Sequence, residues 1–244
     1  MGLQAALNGE RTKVEHAATP VSVEELARDA AACVAAGARA IHLHPRDGEG
    51  QETLEAGVVD EVVKKVRGAC GVPVGTTTSA DIEPDPERRL GLVRAWREPD
   101  YASVNLSEAG ALELMEALVG IGIGIEAGVW TVEDAGRLAA SGLGGQLTRI
   151  LVEPTELQLW ASGDKAADAL GLVEDIHGVL DELGLASSRL QHGDGRITWV
   201  LLRDAVRRDL DSRIGLEDTL CGPDGERTTG NEALVRAARE LGAA

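Results

Sequence analysis

The sequence predicts an α/β fold, a (β/α)8 TIM barrel, with residues 1–244 read as a single domain. That prediction rests on three features of the chain. Short apolar runs alternate with amphipathic stretches roughly eight times, as parallel strands joined by crossover helices do. No linker, low-complexity segment or block of like charge interrupts the alternation. An open doubly wound sheet would usually carry a Gly-rich phosphate loop after its first strand, and Asn8-Gly9-Glu10-Arg11 is not one.

Taken in order, Gln4–Leu7 opens the chain as the first strand. Ser22 and Glu25 form a capping box ahead of the apolar positions Leu26, Ala30 and Cys33, and Gly37 ends the helix they start. Ala38–Leu43 is the second strand, and Gly71 closes the next helix before the third strand, Val72–Thr77. Asp85 followed by Pro86 opens a helix running to about Trp96. Tyr101–Val104 and Ile121–Glu126 are the fourth and fifth strands. Thr131 caps a helix over Val132–Ala140 that Gly142 ends, and Thr148–Val152 follows as the sixth strand. Asp164–Leu183 is the longest helical stretch, stopped at Gly184 before Arg189–Gln191. A helix over Thr198–Asp209, the strand Arg213–Leu216 and a helix over Asn231–Leu241 complete the set. With no Phe and one Tyr, the core must be built from Leu, Val, Ile and Ala.

The bulk numbers exclude several partners. A net charge of −17 argues against nucleic acid and against an anionic membrane surface, both of which are held by Lys and Arg. No apolar run is long enough to span a bilayer. The start lacks the basic region of a signal peptide, and Ala6 breaks a myristoylation motif. Cys33, Cys70 and Cys221 have unrelated spacings, neither a disulfide framework nor a zinc knuckle, so a reducing cytoplasm is the expected location.

In such a barrel the chemistry gathers at the C-terminal strand tips. His42 and His44, two apart, would share one face of the second strand, and Pro45 stops the ladder just beyond them. Two adjacent imidazoles grip a divalent metal; the competing reading is that they cap a buried strand by bonding to backbone. Barrel closure brings strand eight next to strand one and strand one next to strand two, so Glu217 can reach the same metal. The result is a His2Glu set with an open position, although Glu217 could instead serve backbone N–H groups at a helix start. Arg213 shares strand parity with Glu217 and would hold Glu10 or Asp218 ionised. An ionised Asp beside a metal-bound carbonyl can take a proton alpha to it; a structural ion-pair network closing the barrel is the alternative.

Glu10, Glu108, Glu126, Glu153, Glu217 and Asp218 all fall at expected strand tips. Such a cluster predicts a substrate with a cationic group remote from its reacting end, held by Glu108 first and by Glu126 or Glu153 second. The bland account is that Glu108 follows a helix cap at Ser107 and that the other two pair with Arg residues.

Several blocks resemble the β-keto acid cleavage enzymes, among them the 3-keto-5-aminohexanoate cleavage enzyme. They are Thr19-Pro20-Val21-Ser22-Val23-Glu24-Glu25, Ala35-Ala36-Gly37-Ala38, Ile41-His42-Leu43-His44-Pro45-Arg46-Asp47 and Ser103-Val104-Asn105. Gly193-x-Gly195-Arg196, Arg213-x-Gly215-Leu216-Glu217-Asp218 and Asn231 at the last helix continue the series in consistent order. The resemblance implies a zinc-bearing barrel, one Zn2+ per chain, that is a homo-oligomer (dimer or tetramer). It also implies a small-molecule β-keto acid as substrate and acetyl-CoA as co-substrate, giving acetoacetate and a new CoA thioester. Carried over by position, His42, His44 and Glu217 are the zinc ligands, and Asp218 is the base oriented with Arg213 and Glu10. Thr77 stands where the family places a substrate-holding hydroxyl, with Asn105 as a further substrate contact. The chain departs from the pattern in shorter loops at strands four to six and in Leu106-Ser107-Glu108 where the characterised enzyme has Gly-Thr. A CoA-independent metal-dependent aldolase or lyase is the nearest alternative. A non-catalytic metal- or metabolite-binding barrel is the other, and it would need neither Arg213 nor Asp218.

Overall fold

The structure is a computed structural model that describes residues 2–159 and 164–244. Its eight parallel strands close into a barrel in chain order: β1 (Leu3–Ala6), β2 (Ala40–Leu43), β3 (Val74–Thr77), β4 (Tyr101–Asn105), β5 (Gly124–Val129), β6 (Arg149–Val152), β7 (Arg189–Gln191) and β8 (Asp211–Ile214). The helices around it are α1 (Val23–Ala36), α2 (Ala56–Cys70), α3 (Pro86–Val93), α4 (Ala111–Ile121), α5 (Val132–Ser141), α6 (Lys165–Glu182), α7 (Thr198–Arg207) and α8 (Asn231–Glu240). No helix among the described residues is long and apolar enough to cross a membrane.

Local signals set the helix ends. The Ser22 hydroxyl accepts the Glu25 N–H while the Glu25 carboxylate accepts the Ser22 N–H, closing the capping box. Asp85 and Thr131 accept first-turn N–H groups in the same manner at α3 and α5. Gly71, Gly142 and Gly184 turn the chain out of α2, α5 and α6 at φ of 71°, 72° and 70°, which glycine adopts without a Cβ clash.

Alternation along the strands separates two environments. Ile41, Leu43, Ile125, Ala127, Ile150 and Val152 are fully buried and belong to the apolar layer between sheet and helices. The alternate positions, among them Gln4, His42, Tyr101, Glu126, Arg149 and Arg213, are polar and buried inside the barrel, where Gln4, Tyr101, Glu126 and Arg149 bond to one another and Arg213 bonds to Glu217 and Asp218. Gly75 makes room for one of them, since a Cβ there would stand 1.9 Å from the Tyr101 ring.

Two strands lie elsewhere than their patterns indicate. Ile121-Gly-Ile-Gly-Ile reads as an alternating strand, but Ile121 is the last residue of α4 and Gly122, at φ 79°, caps it. The strand therefore begins at Gly124, and Glu126 moves from its tip to its middle. At the other end β8 stops at Ile214, because Gly215 lies flat against β1: a Cβ there would be 1.7 Å from the Ala6 carbonyl oxygen. Glu217 and Asp218 thus sit in the loop after β8. β1 joins the seam, with Gln4 opposite both Arg213 and Ala40, and Ala6 opposite His42.

Candidate metal centre and active site

His42 is the third residue of β2 and His44 follows its end. Past the ladder the chain stays extended because Asn8 takes over as partner. Its Oδ1 accepts the His44 N–H and its Nδ2 donates to the His44 carbonyl, both at 2.9 Å. The two imidazoles therefore remain neighbours, with ring centres 5.3 Å apart. His44 Nδ1 meets the Glu52 carboxylate, which turns Nε2 into the barrel mouth. Gly9, at φ 52°, lets the Glu217 stem pack over the end of β1, where a Cβ would stand 2.4 Å from Glu217 Cγ. Glu217 Oε1 lies 3.6 Å from His42 Nε2 and 3.6 Å from His44 Nε2. Donor atoms of the three residues fall within 4.8 Å of one another, a group that could hold a metal ion.

Arg213 organises the acids beside this trio. Its Nη2 donates to Glu217 Oε1 at 2.5 Å and to Asp218 Oδ1 at 2.8 Å, and its Nε donates to Asp218 Oδ1 at 3.1 Å. Burial favours a neutral Glu217, but Arg213 and the two imidazoles outweigh it and hold the carboxyl well below the usual range. Asp218 goes the other way: burial lifts its carboxyl above the usual range against the pull of Arg213. Burial also drives His42 far down, whereas Glu217 and Glu52 overcome burial at His44 and bring it to about 9.

At the tip of β7, His192 Nε2 is 2.7 Å from Glu153 Oε2, and Glu153 Oε1 accepts the Trp130 indole N–H at 3.0 Å. The other ring nitrogen, Nδ1, lies 3.7 Å from Asp218 Oδ1. His42 Nδ1, His192 Nδ1 and Glu217 Oε2 are buried polar atoms without a hydrogen-bond partner. His192 and Glu217 line the cavity described next, so their unpaired atoms can be met by a ligand there, whereas His42 faces Glu217 with its other nitrogen, Nε2.

These residues line a cavity of about 390 Å³ at the C-terminal end of the barrel, together with Glu10, Thr77, Ser79, Ser103 and Asn105. A second cavity, about 550 Å³, lies at the opposite end between Gly184–Arg189 and Asp209–Asp211. Its size does not make it the site. The only titratable groups lining it are Asp181, Arg189, Asp209 and Asp211, and the first two are paired with each other.

His42, His44, Glu217, Arg213, Asp218, Thr77 and Asn105 all meet in the first cavity. Three other candidates stand elsewhere or act differently. Glu126 is fully buried below the cavity, bound to Arg149 at 2.6 Å and to Gln4 at 3.0 Å, because β5 starts three residues later than its pattern indicates. Glu108 lies behind Asn105, holding Asn105 Nδ2 at 2.8 Å, the Ala80 N–H at 2.9 Å and Arg89 at 3.2 Å. No helix starts at Ser107; α4 begins at Ala111, and the Ser107 hydroxyl donates to Asp134. Glu10 stands exposed on the cavity rim, and the carboxylate bonds of Arg213 go to Glu217 and Asp218 instead. Glu52, Asn8, Trp130 and His192 are cavity-side residues to which the sequence reading gave no role, and Glu153, expected to hold a cationic group, instead bonds His192 and Trp130. His192 and Glu153 carried a signal in following strands directly, whereas Glu52 and Asn8 act through partners far along the chain.

The sequence matches the family described as beta-keto acid cleavage enzyme over residues 1–244. Among solved structures, a ternary complex of ObcA with a C4-CoA adduct and oxalate superposes with a TM-score of 0.70 at 18% identity, over 91% of this chain and 63% of that one. A binary complex of ObcA with oxaloacetate gives 0.69 at 17% identity, with the same 91% and 63% coverage. An N-acetylmannosamine-6-phosphate 2-epimerase from Clostridium perfringens gives 0.60 at 14% identity, over 89% of this chain and 87% of that one. At these identities the likeness is one of fold. The chain spans less than two thirds of the length of ObcA.

Proposed function

The chain belongs to the beta-keto acid cleavage enzyme family, and from that membership we propose that it is a zinc-dependent acyltransferase that cleaves a β-keto acid. The acyl fragment would pass to the CoA of acetyl-CoA, while the acetyl group joins the two-carbon remainder as acetoacetate. The reading rests above all on the convergence of both Nε2 atoms on Glu217 Oε1 at 3.6 Å. That spacing is too long for hydrogen bonds. It suits donors around one small ion, since bonds of about 2.0–2.2 Å at tetrahedral angles separate neighbouring donors by roughly 3.4 Å. Two imidazoles and a carboxylate form a donor set that zinc accepts, and Glu52 behind His44 is the kind of carboxylate that orients a metal-binding imidazole.

A divalent ion held by His42, His44 and Glu217 would supply Lewis acidity toward a keto oxygen, which would ease removal of the neighbouring proton. Asp218 receives that proton. It is buried, its carboxyl sits above the usual range, and Arg213 fixes it at the edge of the cavity. Thr77 and Asn105 line the same cavity and contact the substrate. The ObcA structures hold oxaloacetate, itself a β-keto acid, and a CoA adduct, the two ligand classes invoked here.

A panel of β-keto acids incubated with acetyl-CoA, with thioester exchange followed by mass, tests the reading. Acetoacetate and a new acyl-CoA should form together. Cleavage that runs equally well without acetyl-CoA would replace the acyltransferase with a lyase on the same residues.

A further inference from the structure

Most carboxylates around the cavity already bond within the protein, and the wall across from the metal cluster includes four apolar residues. Glu108 is held by Arg89, Asn105 and a backbone N–H, and Glu126 by Arg149 and Gln4. Glu153 is bound by His192 and Trp130, and Asp194 Oδ1 accepts the Glu156 N–H at 2.5 Å. Glu52 is bound to His44, and Glu217 and Asp218 to Arg213. Glu10 and Asp81 are left, both exposed at the rim, where water weakens any pairing they make.

The trio His42, His44 and Glu217 occupies the β8–β1–β2 sector. In an eight-stranded barrel the loops after β5 and β6 lie opposite. Trp130 follows β5 directly and Pro154 is the second residue after β6; Leu157 comes from that same second loop and Ile82 from the loop after β3, and all four line the cavity. Trp130 is held by its indole N–H on Glu153 and through its carbonyl, which accepts Gln158 Nε2 at 3.3 Å. Leu157, one residue before Gln158, is 78% exposed. An apolar chain lying between Trp130 and Leu157 would remove that surface from water.

Resting on the β-keto acid reading above, we infer that the substrate's tail, the part beyond the keto group, is uncharged and apolar, with Leu157, Ile82 and Trp130 as its specificity-determining residues. This reverses the cationic tail that the acidic strand tips suggest in sequence. An ammonium group on this wall would lose water against aliphatic carbon, and the nearest carboxylates, Glu153 and Asp194, already bond to protein groups.

The test is equilibrium binding to the metal-loaded protein of two matched probes, 3-oxooctanoate and 8-amino-3-oxooctanoate, alongside turnover of each. The uncharged acid should bind on the order of tenfold tighter or more, since even single methylenes shift affinity by that much in apolar pockets. Leu157→Asp, an exposed position that should tolerate the change, should narrow or invert the ratio by setting a carboxylate beside Trp130. Equal or tighter binding of the amine in the parent protein overturns the inference, and so does failure of both probes to bind. Tight binding of 3-oxooctanoate without cleavage would uphold the apolar tail while overturning the proposed reaction, so the two fail separately.

Discussion

The barrel interior holds two charged layers built from similar residues, and they end in opposite states. In the lower layer Arg149 bridges Glu126 and Asp211, Asp211 Oδ1 accepts the Gly2 N–H, and Gln4 links Glu126 to the Tyr101 hydroxyl. That hydroxyl donates in turn to the Ile41 carbonyl at 2.6 Å. Of these side chains only Gln4 Oε1 lacks a partner. The upper layer has its own arginine and two acids, yet leaves His42 Nδ1, His192 Nδ1 and Glu217 Oε2 unpaired around a cavity. Buried charge alone therefore does not mark a site. A network whose bonds close within the protein is scaffold, and one whose bonds stop at an open space is waiting for a ligand.

The contrast can be broken most directly at His42. Replacing it with Ala should abolish stoichiometric zinc and all metal-dependent turnover, measured by elemental analysis and thioester exchange; retained zinc would move the centre elsewhere. Next in size is Asp218→Asn, which should keep the metal and lower kcat by ~10²–10⁴, the usual contribution of an acid–base group. In the lower layer Arg149→Met strands Glu126 without a counter-charge and should cost about 3–5 kcal/mol in urea unfolding. Zinc content should not change, and a variant that lost its metal would show that the layers are one system. The smallest effect is expected at Glu52→Gln. The fold should be unaffected, and zinc affinity, read by chelator competition, should weaken roughly 10–100-fold as the orienting partner of His44 is lost.

The eightfold alternation, most helix caps and the pairing of His42 with His44 were legible because each depends on near neighbours, while Glu217 was reached only by assuming that the barrel closes through β1. His42 and His44 need only a strand and a spacing of two to become adjacent. Glu126 was misplaced because Ile121 and Ile123 alternate as strand residues do, and only the cap at Gly122 separates helix from strand. Glu108 looked available because its partner Arg89 sits on α3 in a charged stretch, and no local rule says that this guanidinium is fully buried. The tie of Asn8 to His44, and that of His192 to Glu153, join residues 36 and 39 positions apart and become visible only when the barrel closes.

The seam between β1 and β8 also joins parts of the chain that are far apart in sequence. His42 and His44 belong to β2 and the residues just after it, whereas Arg213 lies on β8 and Glu217 and Asp218 in the loop after it, and these reach the histidines only across β1. Asn231 locks that arrangement, its Nδ2 donating to the Leu7 carbonyl at 2.7 Å and its Oδ1 accepting the Leu216 N–H at 2.6 Å. A barrel without β8 and the loop after it would hold two of the three candidate ligands and neither Arg213 nor Asp218. On the proposed reading, closing the β1–β8 seam and assembling the candidate site are one event, so a variant that cannot close the seam should bind no metal there.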